Sequence, residues 1–165
     1  MNILDAIHIL DKNVLNPEQG LPEELFYYIS RTVPLINVDL LIKDKHNRTL
    51  LIWRDDQYAG KGWHIPGGII RFKETFEERI RKVCDTEIGS MVDFNPVPLA
   101  INEIIHPKNN IRGHFVSLLY ECGISDKFIP DNGKLVETDK GYIKWHNSCP
   151  NNMVLFQDKI YRRYI

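Results

Sequence analysis

A short run, Gly62-Trp63-His64-Ile65-Pro66-Gly67-Gly68, leading into a helical pattern that stops at Gly89, narrows what this chain can fold into more than any other stretch. Trp63 and Ile65 have strand character, Pro66 interrupts a strand ladder, and Gly67-Gly68 permit close backbone approaches that a Cβ would forbid. The spacing from Thr75 to Ile88 is helical, with Glu77 and Arg81, and Glu78 and Lys82, placed as i,i+4 pairs. Gly89 supplies a C-terminal stop. A strand end, a glycine loop and a helix therefore follow one another, and a polyanion could reach the loop backbone.

At about 100° per residue, Phe76, Ile80 and Val83 share one apolar stripe, and Glu87 falls within it. A carboxylate on a face meant for burial is costly unless it is paired or binds a metal. Near a helix end it can also reach solvent or a neighbouring cation, and the pattern alone leaves both readings open.

The remainder of the chain sets the frame for this segment. With 165 residues, a net charge of −1 and 43% hydrophobic residues, one domain with a real core is expected, residues 1–20 forming an extension and 21–165 the core. No apolar run is long enough to span a bilayer and no leader pattern is present, so a cytoplasmic protein with no membrane partner is expected. The three cysteines, Cys84, Cys122 and Cys149, are too few and too scattered for a disulfide framework or a zinc site. Balanced charge argues against nucleic acid as a partner, and the basic Tyr161-Arg162-Arg163-Tyr164 reads first as a helix end.

Ile3, Ile7 and Leu10 have helical spacing, and that segment serves either a homodimer or a cover over the domain's own sheet. Pro22-Glu23-Glu24 opens a second helix running to about Ser30. Leu35 to Ile42 and Thr49 to Trp53 read as a hairpin, followed by strands within 96–105 and 111–122 and a strand at Tyr142 to Trp145. Asn151 to Tyr164 reads as a closing amphipathic helix. Asp39, in an apolar strand, wants a partner of its own: structural pairing and substrate contact are equally compatible with its position. Arg54 suits phosphate oxygens through its guanidinium fork, and it suits equally a salt bridge with Asp55 or Asp56. His64, flanked by Trp63 and Ile65, reads as an ordinary half-exposed histidine. His106 is either a ligand contact or a loop histidine.

Gly68, Glu74, Glu87 and Gly89 stand, without a gap, where the Nudix hydrolases carry the signature G-x5-E-x7-R-E-U-x-E-E-x-G-U. Lys82, Val83 and Thr86 replace its arginine and two of its glutamates. The reduced box resembles that of the GDP-mannose mannosyl hydrolases. So do Pro34-Leu35-Ile36-Asn37-Val38-Asp39, the arginine at Arg54 and His114-Phe115-Val116, the likeness covering roughly residues 20–148. It implies an α/β/α sandwich around a central mixed sheet. It also implies one Mg²⁺ or Mn²⁺ held by Glu87 and the Gly67 carbonyl, with Arg54 on the diphosphate and Asp39 and His114 on the substrate.

Ahead of Trp145 the subgroup has a Gln-His pair, metal ligand and general base, where this chain has Asp139 and Lys140. Asp139 can serve as a hard oxygen ligand, whereas Lys140 is a poor base and better suited to substrate contact. Glu137, Asp139, His106 and His114 are the candidates for activating water. Phe115 stands where the subgroup has tyrosine, and Ile69 where it has arginine. The implied activity is hydrolysis of a nucleotide sugar by water attack at sugar C1, releasing sugar and nucleoside diphosphate. The alternatives are attack at phosphorus, the commoner reaction of the superfamily, and binding without turnover.

Overall fold

The computed structural model describes residues 2–165. Its first helix, α1 (Ile3–Asn13), is closed by a reciprocal cap between Asn2 and Asp5 and buries none of its residues. A 3-10 turn at Pro17–Gln19 leads to α2 (Glu23–Ser30). The strands are β1 (Leu35–Lys43), β2 (Thr49–Asp56), β3 (Gly60–His64), β4 (Gly67–Ile69), β5 (Val92–Phe94), β6 (Ala100–Ile105), β7 (His114–Ile124) and β8 (Ile143–His146). Helix α3 (Phe76–Val83) follows β4 and continues into a π-helical turn, Cys84–Ile88; α4 (Leu155–Tyr161) ends the chain with a further 3-10 turn. Among the described residues no helix is long and apolar enough to cross a membrane.

The eight strands form one sheet with the path β3-β2-β1-β7-β5, while β4 pairs with β1, β6 with β7 and β8 with β2. The pairing of β1 with β7 is parallel, from Leu35 opposite Phe115 to Lys43 opposite Gly123, and the other pairings between strands are antiparallel. This is the mixed sheet that the resemblance implies. Val38 to Ile42 are buried without alternation, as a strand covered on both faces requires. Val38, Leu40, Ile42, Leu118 and Tyr120 pack with Ile80, Val83 and Ile88 on one face. Leu41, Leu51, Trp53, Trp63 and Leu119 pack with Tyr161 of α4 on the other.

Three local expectations change in detail. Thr75 and Glu78 form a capping box, so Glu78 bonds to Thr75 and Lys82 turns instead to Glu74 at 2.9 Å. Phe76, placed by spacing in the apolar stripe, is 48% exposed, and only Ile80 and Val83 of α3 are buried in the core. The closing helix is shorter than its pattern, since residues 151–154 run as turn and extended chain before Leu155.

Candidate active site

The alternation of the β1–β4 ladder determines what the glycine loop presents. Leu40 N–H donates to Pro66 C=O and Ile70 N–H to Ile36 C=O, so Gly67, opposite Asp39, occupies a non-hydrogen-bonded position. Its own N–H and C=O therefore point away from β1. Its N–H meets Glu87 Oε2 at 3.4 Å. A Cβ on Gly67 would lie 2.3 Å from Asp39 Oδ1 and 2.6 Å from the Val38 carbonyl oxygen, so only glycine fits.

These residues open onto a cavity of about 900 Å³. Asp39, Arg54, Gly67, Glu87 and Lys140 line it, and so do Asn37, Asp56, His64 and Arg112. Glu87 is carried there by the π turn, which ends with Gly89 N–H on Cys84 C=O at 2.8 Å. Burial, with the Asp39 charge adding to it, pushes the Glu87 carboxyl up to about 7 against the pull of the Gly67 N–H and Arg54. Asp39 is buried on the α4 face, its Oδ2 accepting from Ser117 Oγ and Tyr161 Oη at 2.5 Å each. Burial raises its pKa in spite of these bonds.

Arg54 pairs through Nε with Asp56, whose other oxygen accepts the Tyr58 and Ala59 N–H groups at 2.8 Å. Burial opposes ionisation of Asp56, but the Ala59 N–H and Arg54 hold it below the usual carboxylate range. Arg54 thus makes the salt bridge with Asp56 and also lines the cavity. His64 is half-buried, as expected, and lines the cavity. Burial and the Arg54 cation push its imidazole down to about 4. Its Nδ1 lies 2.8 Å from the Ile65 carbonyl, which can only accept, so Nδ1 carries the proton and Nε2 is left as an acceptor.

Other residues singled out in the sequence lie elsewhere. Asp139 turns its carboxylate back to accept the Val136 N–H at 2.9 Å, an internal cap of its own loop, and does not line the cavity although Lys140 and Gly141 do. Glu137 is paired with Lys144 at 2.9 Å. His106 packs its ring toward Phe156, and His114 faces Glu103 at 3.6 Å. His64, Asp56, Asn37 and Arg112 were not among the sequence candidates for the site. The sequence signal for His64 was its place beside the glycine loop. Arg112 sits in a polar loop that offered none.

Of the box positions, Glu87 alone presents a carboxylate to the cavity. Val83 is core, and Thr86 bonds its hydroxyl to the Lys82 carbonyl at 2.7 Å. Glu74 is consumed, its side chain 4% exposed, with Arg79 at 2.6 Å, Lys82 at 2.9 Å and the Arg71 N–H at 2.9 Å. Burial works against its charge, but the Arg71 N–H, Lys82 and Arg79 hold it below the usual range. Glu74→Ala should therefore cost about 3 kcal/mol in chemical denaturation, because it strands Arg79 against the loop. A loss no larger than that of Glu77→Ala, at an exposed pair, would show that Glu74 does not brace the loop.

A divalent cation fits what remains. Glu87 has one weak protein hydrogen bond, and the Gly67 carbonyl is free of the β1–β4 ladder. Among the described residues no three His, Cys, Asp or Glu side chains cluster to hold a metal. Such a donor set suits an ion that draws most of its ligands from phosphate and water, as Mg²⁺ does, and not one needing a protein cage.

No protein-family model matches the chain. The low-salt glycan biosynthesis protein Agl8 of Haloferax volcanii is 27% identical over 114 residues, spanning 67% of this chain and 72% of that protein. A MutT Nudix hydrolase from Burkholderia pseudomallei superposes with a TM-score of 0.63 at 20% identity, over 81% of this chain and 98% of that one. A UDP-X diphosphatase superposes at 0.56 and 16% identity, over 98% and 87%. The Nudix domain of NrtR from Shewanella oneidensis, solved with ADP ribose, superposes at 0.50 and 18% identity, over 69% and 73%. These likenesses show that the chain has the fold of the Nudix hydrolases.

Proposed function

We propose that the chain is a metal-dependent hydrolase of a nucleoside diphosphate-linked sugar, of the GDP-mannose type, in which water attacks sugar C1. The observation that carries this reading is that Glu87 is the one box carboxylate that faces the cavity. Attack at phosphorus draws on several box carboxylates to hold several metal ions, and here Val83, Thr86 and the fully paired Glu74 leave only Glu87. The names of the relatives are compatible with it: one belongs to glycan biosynthesis, and two structures are named for, or hold, nucleoside diphosphate derivatives.

Glu87 and the Gly67 carbonyl would hold Mg²⁺ or Mn²⁺, which supplies Lewis-acid neutralisation of diphosphate charge when bound. Arg54, steadied by Asp56, grips a phosphate of the leaving group, so that group departs without a proton. The water oxygen bonds to C1 as the C1–O bond to phosphate breaks, the electron pair leaves with the diphosphate, and the water proton needs an acceptor. Asp39 is suited to accept it. Ser117 and Tyr161 occupy Oδ2, Oδ1 lies beside Gly67, and burial makes the carboxyl more basic than an exposed one. Lys140 and Gly141 also line the cavity. Asp139 enters this scheme only if its loop releases the Val136 N–H.

Incubation with a panel of nucleotide sugars and Mg²⁺ or Mn²⁺ tests the reading. Free sugar and nucleoside diphosphate are the expected products. Nucleoside monophosphate with sugar phosphate would replace it with attack at phosphorus, and saturable binding without turnover would make the chain a nucleotide-sugar binding module.

A further inference from the structure

We propose that Arg112 is a second phosphate-gripping residue of the cavity, holding the phosphate on the nucleoside side while Arg54 holds the one nearer the metal. This rests on the reading of the cavity as a nucleoside diphosphate site.

Arg112 is fixed with care for a residue in a polar loop. Its backbone is left-handed, with φ of 53°, and its N–H points at Ser30 Oγ of α2 at 3.3 Å. Behind it Gly113 packs so closely that a Cβ would lie 1.9 Å from the Asn109 carbonyl oxygen. Asn109 Nδ2 in turn donates to the Tyr58 carbonyl at 2.8 Å, tying this loop to the turn between β2 and β3. The guanidinium carbon stands 5.2 Å from the ring centre of Tyr58 and 6.0 Å from that of Phe26. A loop anchored on three sides thus aims one cation into the cavity.

That cation is unfinished. Arg112 Nε is buried with no hydrogen-bond partner, and among the described residues no carboxylate lies within ion-pair distance of the side chain. Asp56, the acid whose charge it feels, is taken by Arg54. Burial and the Arg54 cation both bear on Arg112. Two guanidinium groups facing one cavity repel, and a buried donor left unmade is costly, so the arrangement is completed by an anion with several oxygens between them. Arg54 bonds to Asp56, Asp56 accepts the Tyr58 N–H, and the Tyr58 ring lies against Arg112, so the two cations follow one another along the cavity wall. Glu87 feels the Arg54 charge, which sets the Glu87 and Gly67 end on the Arg54 side. A nucleoside diphosphate laid along the cavity puts its terminal phosphate at Arg54, its inner phosphate at Arg112 and its nucleoside toward the two rings.

The order makes a crossed prediction for calorimetric titration of ADP, GDP, UDP and CDP, and of their monophosphates, in Mg²⁺. Arg112→Gln weakens the preferred diphosphate and its monophosphate alike, each about 10- to 100-fold, whereas Arg54→Gln weakens the diphosphate by that factor and the monophosphate by less than about 3-fold. Arg112→Lys, which restores charge without the fork, recovers part of the loss. Mn²⁺ binding without nucleotide and the thermal midpoint of Arg112→Gln stay at wild-type values. Unchanged nucleotide affinity in Arg112→Gln overturns the inference and leaves the reading of the cavity intact. A loss accompanied by a lowered thermal midpoint and altered Mn²⁺ binding makes Arg112 a structural brace and also overturns it. Failure of the wild-type protein to bind any of these nucleotides removes the reading and the inference together.

Discussion

Glu87→Gln should lower kcat/KM by about 10³-fold or more, the several kcal/mol that one metal-held phosphate contributes to a transition state, while leaving the fold intact. The same substitution should make the metal-free protein more stable at alkaline pH. In the folded chain the Glu87 carboxyl titrates near 7 against an ordinary 4.5. A carboxyl raised on folding gives its full contribution below 4.5 and loses it as pH rises through 7, so wild-type protein in EDTA is less stable at pH 8 than at pH 5 by on the order of 3 kcal/mol from this group. Glutamine has no proton to lose, and its melting temperature should show none of that fall. Below pH 7 a proton competes with the metal for the same oxygens, so Mn²⁺ affinity of the wild type should weaken with acidity. Parallel pH profiles for the two proteins in EDTA would show that Glu87 is not desolvated in the cavity.

The second large effect is expected at Gly67. A methyl group there must displace Asp39 Oδ1 or the Val38 carbonyl, and Asp39 has little room to swing because Ser117 and Tyr161 hold its other oxygen. Gly67→Ala should cost about 3 kcal/mol, and turnover should vanish with it, since the loop carbonyl and the carboxylate move together. Gly123→Ala on β7 is the matched control, with nothing within 4 Å of the added carbon. That variant should be neutral or slightly stabilised. Equal urea midpoints for the two variants would mean that the β1–β4 contact yields easily and that Gly67 is not a packing requirement.

Much of this architecture could be read from the chain because its elements announce themselves by strong local pattern. β1 and β2 are nearly continuous apolar runs, and α3 carries its cap at Thr75 and its stop at Gly89. β5 spans only Val92–Phe94, too short for any period to register. The parallel pairing of β1 with β7 joins residues far apart in sequence, where no turn chemistry dictates register. The site divides along the same line. Gly67, Glu87, Arg54 and Asp39 sit on or beside regular elements, so the resemblance could carry them over position by position. Asp139, His106 and His114 could be positioned only by their distance from Trp145 or a strand end, and a loop turns a side chain in or out by torsions that spacing does not record. Asp139 is drawn away by one hydrogen bond to Val136. Arg112 falls within the strand expected over 111–122, but the strand begins only at His114 and a left-handed backbone that arginine seldom adopts turns Arg112 toward the cavity.

Because α3 closes on an i→i+5 turn between Cys84 and Gly89, its length is itself a setting of the site. A π turn accommodates one residue more than an α turn would over the same rise. Removing one residue from positions 84–86 would let the helix finish as α and rotate the residues downstream, Glu87 among them, by roughly 100°. Glu87 would then swing off the loop even if every side chain kept its identity. Side chains in this turn that face away from the loop can be exchanged, but their number cannot change without moving Glu87. Relatives that share the site should therefore be recognised by an ungapped span from the glycine pair to the final glycine before they are recognised by the residues within it.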